Sequence, residues 1–172
     1  MTVELIAGRH PLIVKNMIWL DEASTQSFAQ ALARQPAIGR ALIELQGDLG
    51  AGKTTFVRHL LKSLGVPGRI KSPTYAVVEP YTLPASNLDS GHNLAMAIWH
   101  FDFYRFNDPS EWEDAGFRET FASPGLKLVE WPEKAGDHLP RPDLVIHIEM
   151  LPDESRRITL TAYTPTGAEL LT

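Results

Sequence analysis

Apolar residues recur along this chain in two rhythms, and the switches between them mark its elements. The segment Leu12-Ile13-Val14-Lys15-Asn16-Met17-Ile18-Trp19-Leu20 is rich in apolar, β-prone side chains and predicts an early strand. Asp21 stands where it can cap a helix starting near Glu22, with Phe28 and Leu32 on one face and Pro36 at its end. Phe28 and Leu32 read as core, although a helix in this place could also border the base of a bound nucleotide. The run Ala41-Leu42-Ile43-Glu44-Leu45-Gln46 predicts a buried strand. After Lys53, the residues Phe56, Val57, Leu60, Leu61 and Leu64 fall on one stripe of a second helix, which Gly65 can close.

Further along, Val66-Pro67-Gly68 is a turn, and Ser72-Pro73-Thr74-Tyr75 leads into Ala76-Val77-Val78-Glu79. Leu83 to Asn93 has no periodicity and predicts an exposed loop or insertion. Ala97 to Arg105 begins as an apolar strand and carries Asp102 in its C-terminal part; His100 and Asp102 share a face and could pair. Asn107-Asp108-Pro109-Ser110-Glu111 predicts a helix start capped by Asp108, with Trp112, Phe117 and Phe121 packing and Gly116 interrupting the pattern. Residues 126–134 predict another apolar strand ending in Glu130, stopped by Pro132 after Trp131. Leu144 to Met150 and Arg157 to Tyr163 predict an antiparallel hairpin across Pro152-Asp153-Glu154. Together these elements predict an α/β fold: a mixed, largely parallel sheet flanked by helices, with antiparallel strands late in the chain.

Composition narrows the classes. A length of 172 residues suits a single domain over 1–172 with a substantial core. The net charge of -5, with no lysine or arginine run, argues against an independent grip on nucleic acid, but not against a place beside RNA held by a partner. With no cysteine, disulfides and thiolate zinc sites are excluded, and the six histidines show no metal-binding spacing. No apolar stretch approaches ~20 residues, so no membrane segment is expected and the default location is cytoplasmic.

The chemistry gathers at Gly47-Asp48-Leu49-Gly50-Ala51-Gly52-Lys53-Thr54-Thr55, which fits G-x-x-x-x-G-K-[ST], the loop that wraps nucleotide phosphates. Gly47, Gly50 and Gly52 free the backbone to aim its N–H groups into one concavity, and the following helix adds the partial positive charge of its N-terminus. Lys53 would reach the outer phosphates, and the Thr54 hydroxyl would ligate magnesium. A glycine-rich turn before an ordinary helix is the plainer alternative, but strand, loop and helix stand in the order the motif requires. Asp102 and Glu130 are strand-end acids: one can fix a metal while the other supports the attacking water or completes the metal shell. The sequence does not apportion those roles. Ser72-Pro73-Thr74 taken alone is a turn, though it lies where nucleotide switches place a phosphate-sensing threonine.

The ordered set G-x-L-G-A-G-K-T-T, S-P-T-Y, H-x-D-x-Y-R and E-W-P-E-K, spread over most of the chain, resembles the bacterial TsaE family. The resemblance implies a small P-loop ATPase, magnesium-dependent and slow on its own, needed to make threonylcarbamoyladenosine beside the anticodon of tRNAs that read codons starting with adenine. It implies binding to a TsaD and TsaB complex, which ATP hydrolysis would reset between turnovers, with tRNA met indirectly through that complex. Carried over by position, the ATP site falls on Gly47 to Thr55 with Thr74 and Trp131. Lys53, Asp102 and Glu130 carry the catalytic roles, and Thr54, Asp102 and Glu130 the metal. The loop from Leu83 to Asn93 departs from the family by its length. A small-molecule kinase and a nucleotide-gated binding module remain alternatives; a GTP switch is disfavoured because no N-K-x-D motif is present.

Overall fold

The computed structural model describes residues 10–73, 75–84 and 95–172. Thr74 and most of the predicted 83–93 loop therefore lie outside the described residues. The strands are β1 (Ile13–Trp19), β2 (Leu42–Gln46), β3 (Val78–Leu83), β4 (Met96–Asp102), β5 (Leu126–Glu130), β6 (Leu144–Met150) and β7 (Arg156–Ala162). The helices are α1 (Glu22–Ala33), α2 (Lys53–Ser63), α3 (Glu111–Asp114), α4 (Phe117–Ala122) and α5 (Pro165–Leu170). Among the described residues no helix is long and apolar enough to cross a membrane.

All seven strands join one sheet in the order β1-β7-β6-β2-β5-β4-β3. The four central strands, β6, β2, β5 and β4, are parallel, and antiparallel strands close both flanks. The late hairpin is the β6–β7 pair, whereas β1 and β3 add antiparallel edges from early in the chain. Burial explains the sequence rhythms: β5, covered on both faces, is buried at every position, and its apolar Leu126, Leu128 and Val129 do not alternate with exposed polar residues. The edge strand β1 keeps Lys15 and Asn16 exposed, and β3 tolerates Pro80 because one side of it has no neighbour among the described strands.

Two apolar clusters sandwich the sheet. On one face α1 and α2 pack a mainly aliphatic core, with Trp19, Phe28 and Phe56 in mutual ring contact at 5.4, 5.8 and 5.9 Å. On the other, Phe101, Phe103, Phe106, Trp112 and Phe121 form an aromatic cluster under α3, α4 and the 3-10 turn over residues 132–138. Asp21 caps α1 as its position predicts, accepting from the Ser24 N–H at 2.9 Å.

Several local expectations shift. Leu83 is not loop but the last residue of β3 and is buried, because it faces the aliphatic core. β4 ends at Asp102 rather than running to Arg105. Asp108 bends the chain by accepting from the Ser110 N–H, and Glu111 reaches back to the Asp108 N–H at 3.1 Å, yet α3 begins only at Glu111. Gly116, at φ 73°, breaks the pattern into two short helices. α5 is an element the sequence pattern does not predict; Thr164 caps it by accepting from the Gly167 N–H at 3.1 Å.

Candidate functional site

The C-terminal ends of β2, β4 and β5 converge beneath the phosphate loop, where parallel α/β sheets bind ligands. Gly47 lies so close to β6 that a Cβ there would stand 2.4 Å from the Ile148 carbonyl oxygen. Gly52, at φ 115°, turns the chain into α2 with no side-chain cap. The first amides of that helix are therefore left for a ligand, and they point with the positive end of its dipole. Asp48, Leu49 and Gly50 form the exposed crest of the loop, while Ala51 is buried and its carbonyl accepts from Arg156 Nε at 2.8 Å.

Lys53 is 5% exposed. Its ammonium donates to the carbonyls of Gly47 and Asp48 at 2.5 and 3.0 Å and lies 4.1 Å from the centre of the Trp131 ring. Burial pushes its pKa below the usual lysine value, while the carboxylates of Glu130, Glu133, Asp102 and Asp48 pull the other way. Trp131 reaches this place because it adopts a left-handed backbone, φ 57°, directly after β5. That conformation costs a non-glycine residue about 1–2 kcal/mol, and it swings the indole from the strand line to over the lysine.

Next to the lysine, three side chains form a line. Thr54 Oγ1 donates to Glu130 Oε1 at 2.8 Å, and Glu130 Oε2 meets His100 Nε2 at 2.6 Å. Both His100 and Glu130 are essentially sealed from solvent. With its proton on Nε2 the imidazole donates to the carboxylate, and the buried Nδ1 has no hydrogen-bond partner among the described residues. This corrects the expected His100–Asp102 pair: the shared face is right, but the partner is the acid of the neighbouring strand. Asp102 stands opposite Glu130 in register, and its Oδ1 accepts from the Tyr104 N–H at 2.9 Å. The Asp102 N–H donates to the Val77 carbonyl at 2.9 Å, which ties the segment after Ser72-Pro73 to the end of β4.

A cleft of about 260 Å³ brings together Gly50, Gly52, Lys53, Thr54, Thr55, Asp102, Glu130 and Trp131, all of them residues singled out from the sequence, with Leu49 at its edge. Tyr104, whose ring lies 5.0 Å from that of Trp131, joins them. Tyr104 and Arg156 are not among the site residues expected from the sequence, although Tyr104 lies within H-x-D-x-Y-R. Thr74 is outside the described residues, so its distance from the cleft is not part of this geometry. Across the loop a second cleft of about 370 Å³ is lined by Trp19, Asp21, Glu22, Thr25, Thr55, Met150 and Arg156. The start of α1 thus borders the loop, while Leu32 stays in the core and Phe28 packs against it.

The oxygen donors of Thr54, Asp102 and Glu130 are of the hard type that suits magnesium. Among the described residues no three histidines, cysteines or acids form a cage of their own. Such a donor set matches an ion whose shell is completed by phosphate and water.

Comparison with known proteins bears on the same residues. The family model described as "Threonylcarbamoyl adenosine biosynthesis protein TsaE" matches residues 19–158, which include the loop and both strand-end acids. The chain is 37% identical over 146 residues to the tRNA threonylcarbamoyladenosine biosynthesis protein TsaE of Haemophilus influenzae, covering 85% of each chain. To the protein of that name from Bacillus subtilis it is 34% identical over 151 residues, covering 87% of each. Among solved structures, YdiB of Bacillus subtilis superposes with a TM-score of 0.67 at 29% identity, over 92% of this chain and 93% of that one. The chain belongs to the TsaE family, the threonylcarbamoyl adenosine biosynthesis proteins built on a P-loop.

Proposed function

We propose that this protein is a single-domain, magnesium-dependent ATPase of the cytoplasm that serves the synthesis of threonylcarbamoyladenosine on tRNA. It acts there as an accessory to a TsaB–TsaD complex, which its hydrolysis of ATP resets. The observation that carries the ATPase reading is the line Thr54–Glu130–His100 standing beside a buried lysine at the mouth of an uncapped helix. A ligand rich in negative charge suits such an arrangement of amides and ammonium.

The amides of Gly47 to Thr55 hold the phosphates, and Lys53 exchanges its two carbonyl acceptors for phosphate oxygens. Thr54 gives up Glu130 to become a metal ligand. Magnesium, when bound, supplies electrophilic stabilisation of the phosphate oxygens. Asp102, fixed by the Tyr104 amide, holds the metal shell. Glu130 is kept in place by His100 and orients the attacking water. Trp131 walls the site over Lys53, Thr74 senses the terminal phosphate, and the second cleft takes the adenosine.

Titration calorimetry of magnesium-ATP against the protein and its Lys53→Ala variant tests this reading. Removing the cation should weaken binding roughly 10- to 100-fold, as expected for a charged hydrogen bond of about 1.5–3 kcal/mol. ATPase rate should also rise as TsaB and TsaD are titrated in. Unchanged affinity in the variant would remove the nucleotide site from Lys53, and a rate indifferent to both proteins would remove the accessory role.

A further inference from the structure

The folded chain gathers a basic groove that its sequence conceals. Arg58 and Lys62 stand one turn apart on the exposed side of α2, and Arg69 and Lys71 follow in the segment leading to Ser72. All four line one open groove of about 730 Å³, with Tyr75 and a single acid, Glu79, also on its wall. None of the four forms an ion pair among the described residues, whereas the exposed arginines 40, 118 and 157 each meet a glutamate. Tyr75 is 84% exposed, and the guanidinium of Arg105 lies 4.3 Å from the centre of its ring. A fifth cation and a bare aromatic face thus adjoin the groove.

We propose that this groove is an RNA-binding surface: Arg58, Lys62, Arg69 and Lys71 take consecutive backbone phosphates, and Tyr75, backed by Arg105, stacks on an unpaired base. A protein of net charge -5 that concentrates unpaired cations in one groove is built for a polyanion rather than for solubility. The tyrosine decides between polyanions. An acidic protein surface would use the charges but has no need of an exposed ring, whereas a splayed nucleotide uses both. The groove meets the nucleotide site through α2: Thr54, Arg58 and Lys62 lie at intervals of four on one stripe of the helix, so bound RNA would lie alongside the bound triphosphate. The inference goes beyond the ATPase reading and does not require ATP turnover.

Fluorescence anisotropy with a labelled in vitro transcribed tRNA, measured over a series of salt concentrations, tests it on the full chain. The wild type should bind with log affinity falling against log salt at a slope of about -3, as four phosphate contacts on a single strand imply. The double variants Arg58→Ala with Lys62→Ala, and Arg69→Ala with Lys71→Ala, should each halve that slope and weaken binding about tenfold or more at low salt. Tyr75→Ala should weaken binding at every salt concentration without changing the slope. Calorimetry with ATP, unaffected in all three, controls for folding and separates this inference from the nucleotide site. Absence of tRNA binding by the wild type, or equal binding by the double variants, overturns the proposal. So does loss of assembly with TsaB and TsaD in the double variants with tRNA affinity intact, which would give the groove to a protein partner.

Discussion

The N-terminus and the exposed side of α2 handle charge in opposite ways. At its N-terminus Lys53 is buried, Thr54 is bonded to Glu130, and His100 and Asp102 each have a fixed partner. One and two turns on, Arg58 and Lys62 stand exposed and, among the described residues, without ion pairs. The first arrangement is held ready by short, desolvated hydrogen bonds that salt screens weakly; the second acts through solvent and loses strength as salt rises. One helix therefore carries a site whose selectivity comes from geometry and a surface whose attraction comes from field.

The largest effect expected at the buried end is on turnover. Replacing Glu130 by glutamine keeps the shape and a contact to Thr54 but removes the carboxylate that we propose orients the attacking water, and single-turnover hydrolysis should fall on the order of 100- to 1,000-fold. Affinity for magnesium-ATP should change far less, because in the proposed site the amides and Lys53 hold the phosphates. Hydrolysis within a few fold of wild type would show that the end of β5 is as dispensable to the chemistry as the exposed side of α2.

His100 gives a smaller effect with a sharper diagnosis. His100→Leu leaves the Glu130 carboxylate buried and short of one donor, which should cost about 1–3 kcal/mol of stability and lower the hydrolysis rate about tenfold. His100→Gln restores an N–H and should recover most of the rate. If glutamine and leucine behave alike, the histidine fills space and does not position the acid; a structural role alone would not separate them.

These residues also show what the sequence could and could not disclose. The loop was legible because G-x-x-x-x-G-K-[ST] is local: its glycines, lysine and threonine fall within the single stretch from Gly47 to Thr54. The strand-end acids were legible because apolar runs ending in Asp102 and Glu130 mark where buried backbone emerges toward a ligand. The partner of His100 was not, since alternation tells which residues share a face but not which strand lies alongside. Only the pairing of β4 with β5 puts Glu130 diagonal to His100. The basic groove was hidden for the same reason: its cations come from two short stretches, a helix and the segment beyond it, and neither is a run. α5 is only six residues long, too short to leave a period.

Glu44 carries the contrast between buried and solvated charge to its smallest and most controlled test. It lies on β2 with its carboxyl largely withdrawn from water, and burial, reinforced by Glu133 and opposed by a hydrogen bond from Gln46, raises its pKa to about 7. The unfolded chain would ionise this group near 4.5. Between those values the unfolded state binds fewer protons than the folded one, so the contribution of Glu44 to stability falls as pH rises from about 4.5 to about 7 and is flat beyond. Glu44→Gln keeps the hydrogen-bonding shape and cannot ionise. It should stabilise the protein on the order of 1–3 kcal/mol at pH 8, with the advantage shrinking to nothing below the unfolded value. Urea melts of both proteins at pH 8 and pH 4 read the difference directly, and groups common to both cancel. The same advantage at the two pH values would place the cost of Glu44 in its packing rather than in its charge, whereas a gap that opens with pH and persists in high salt would show that this charge is insulated from solvent as those of the groove are not.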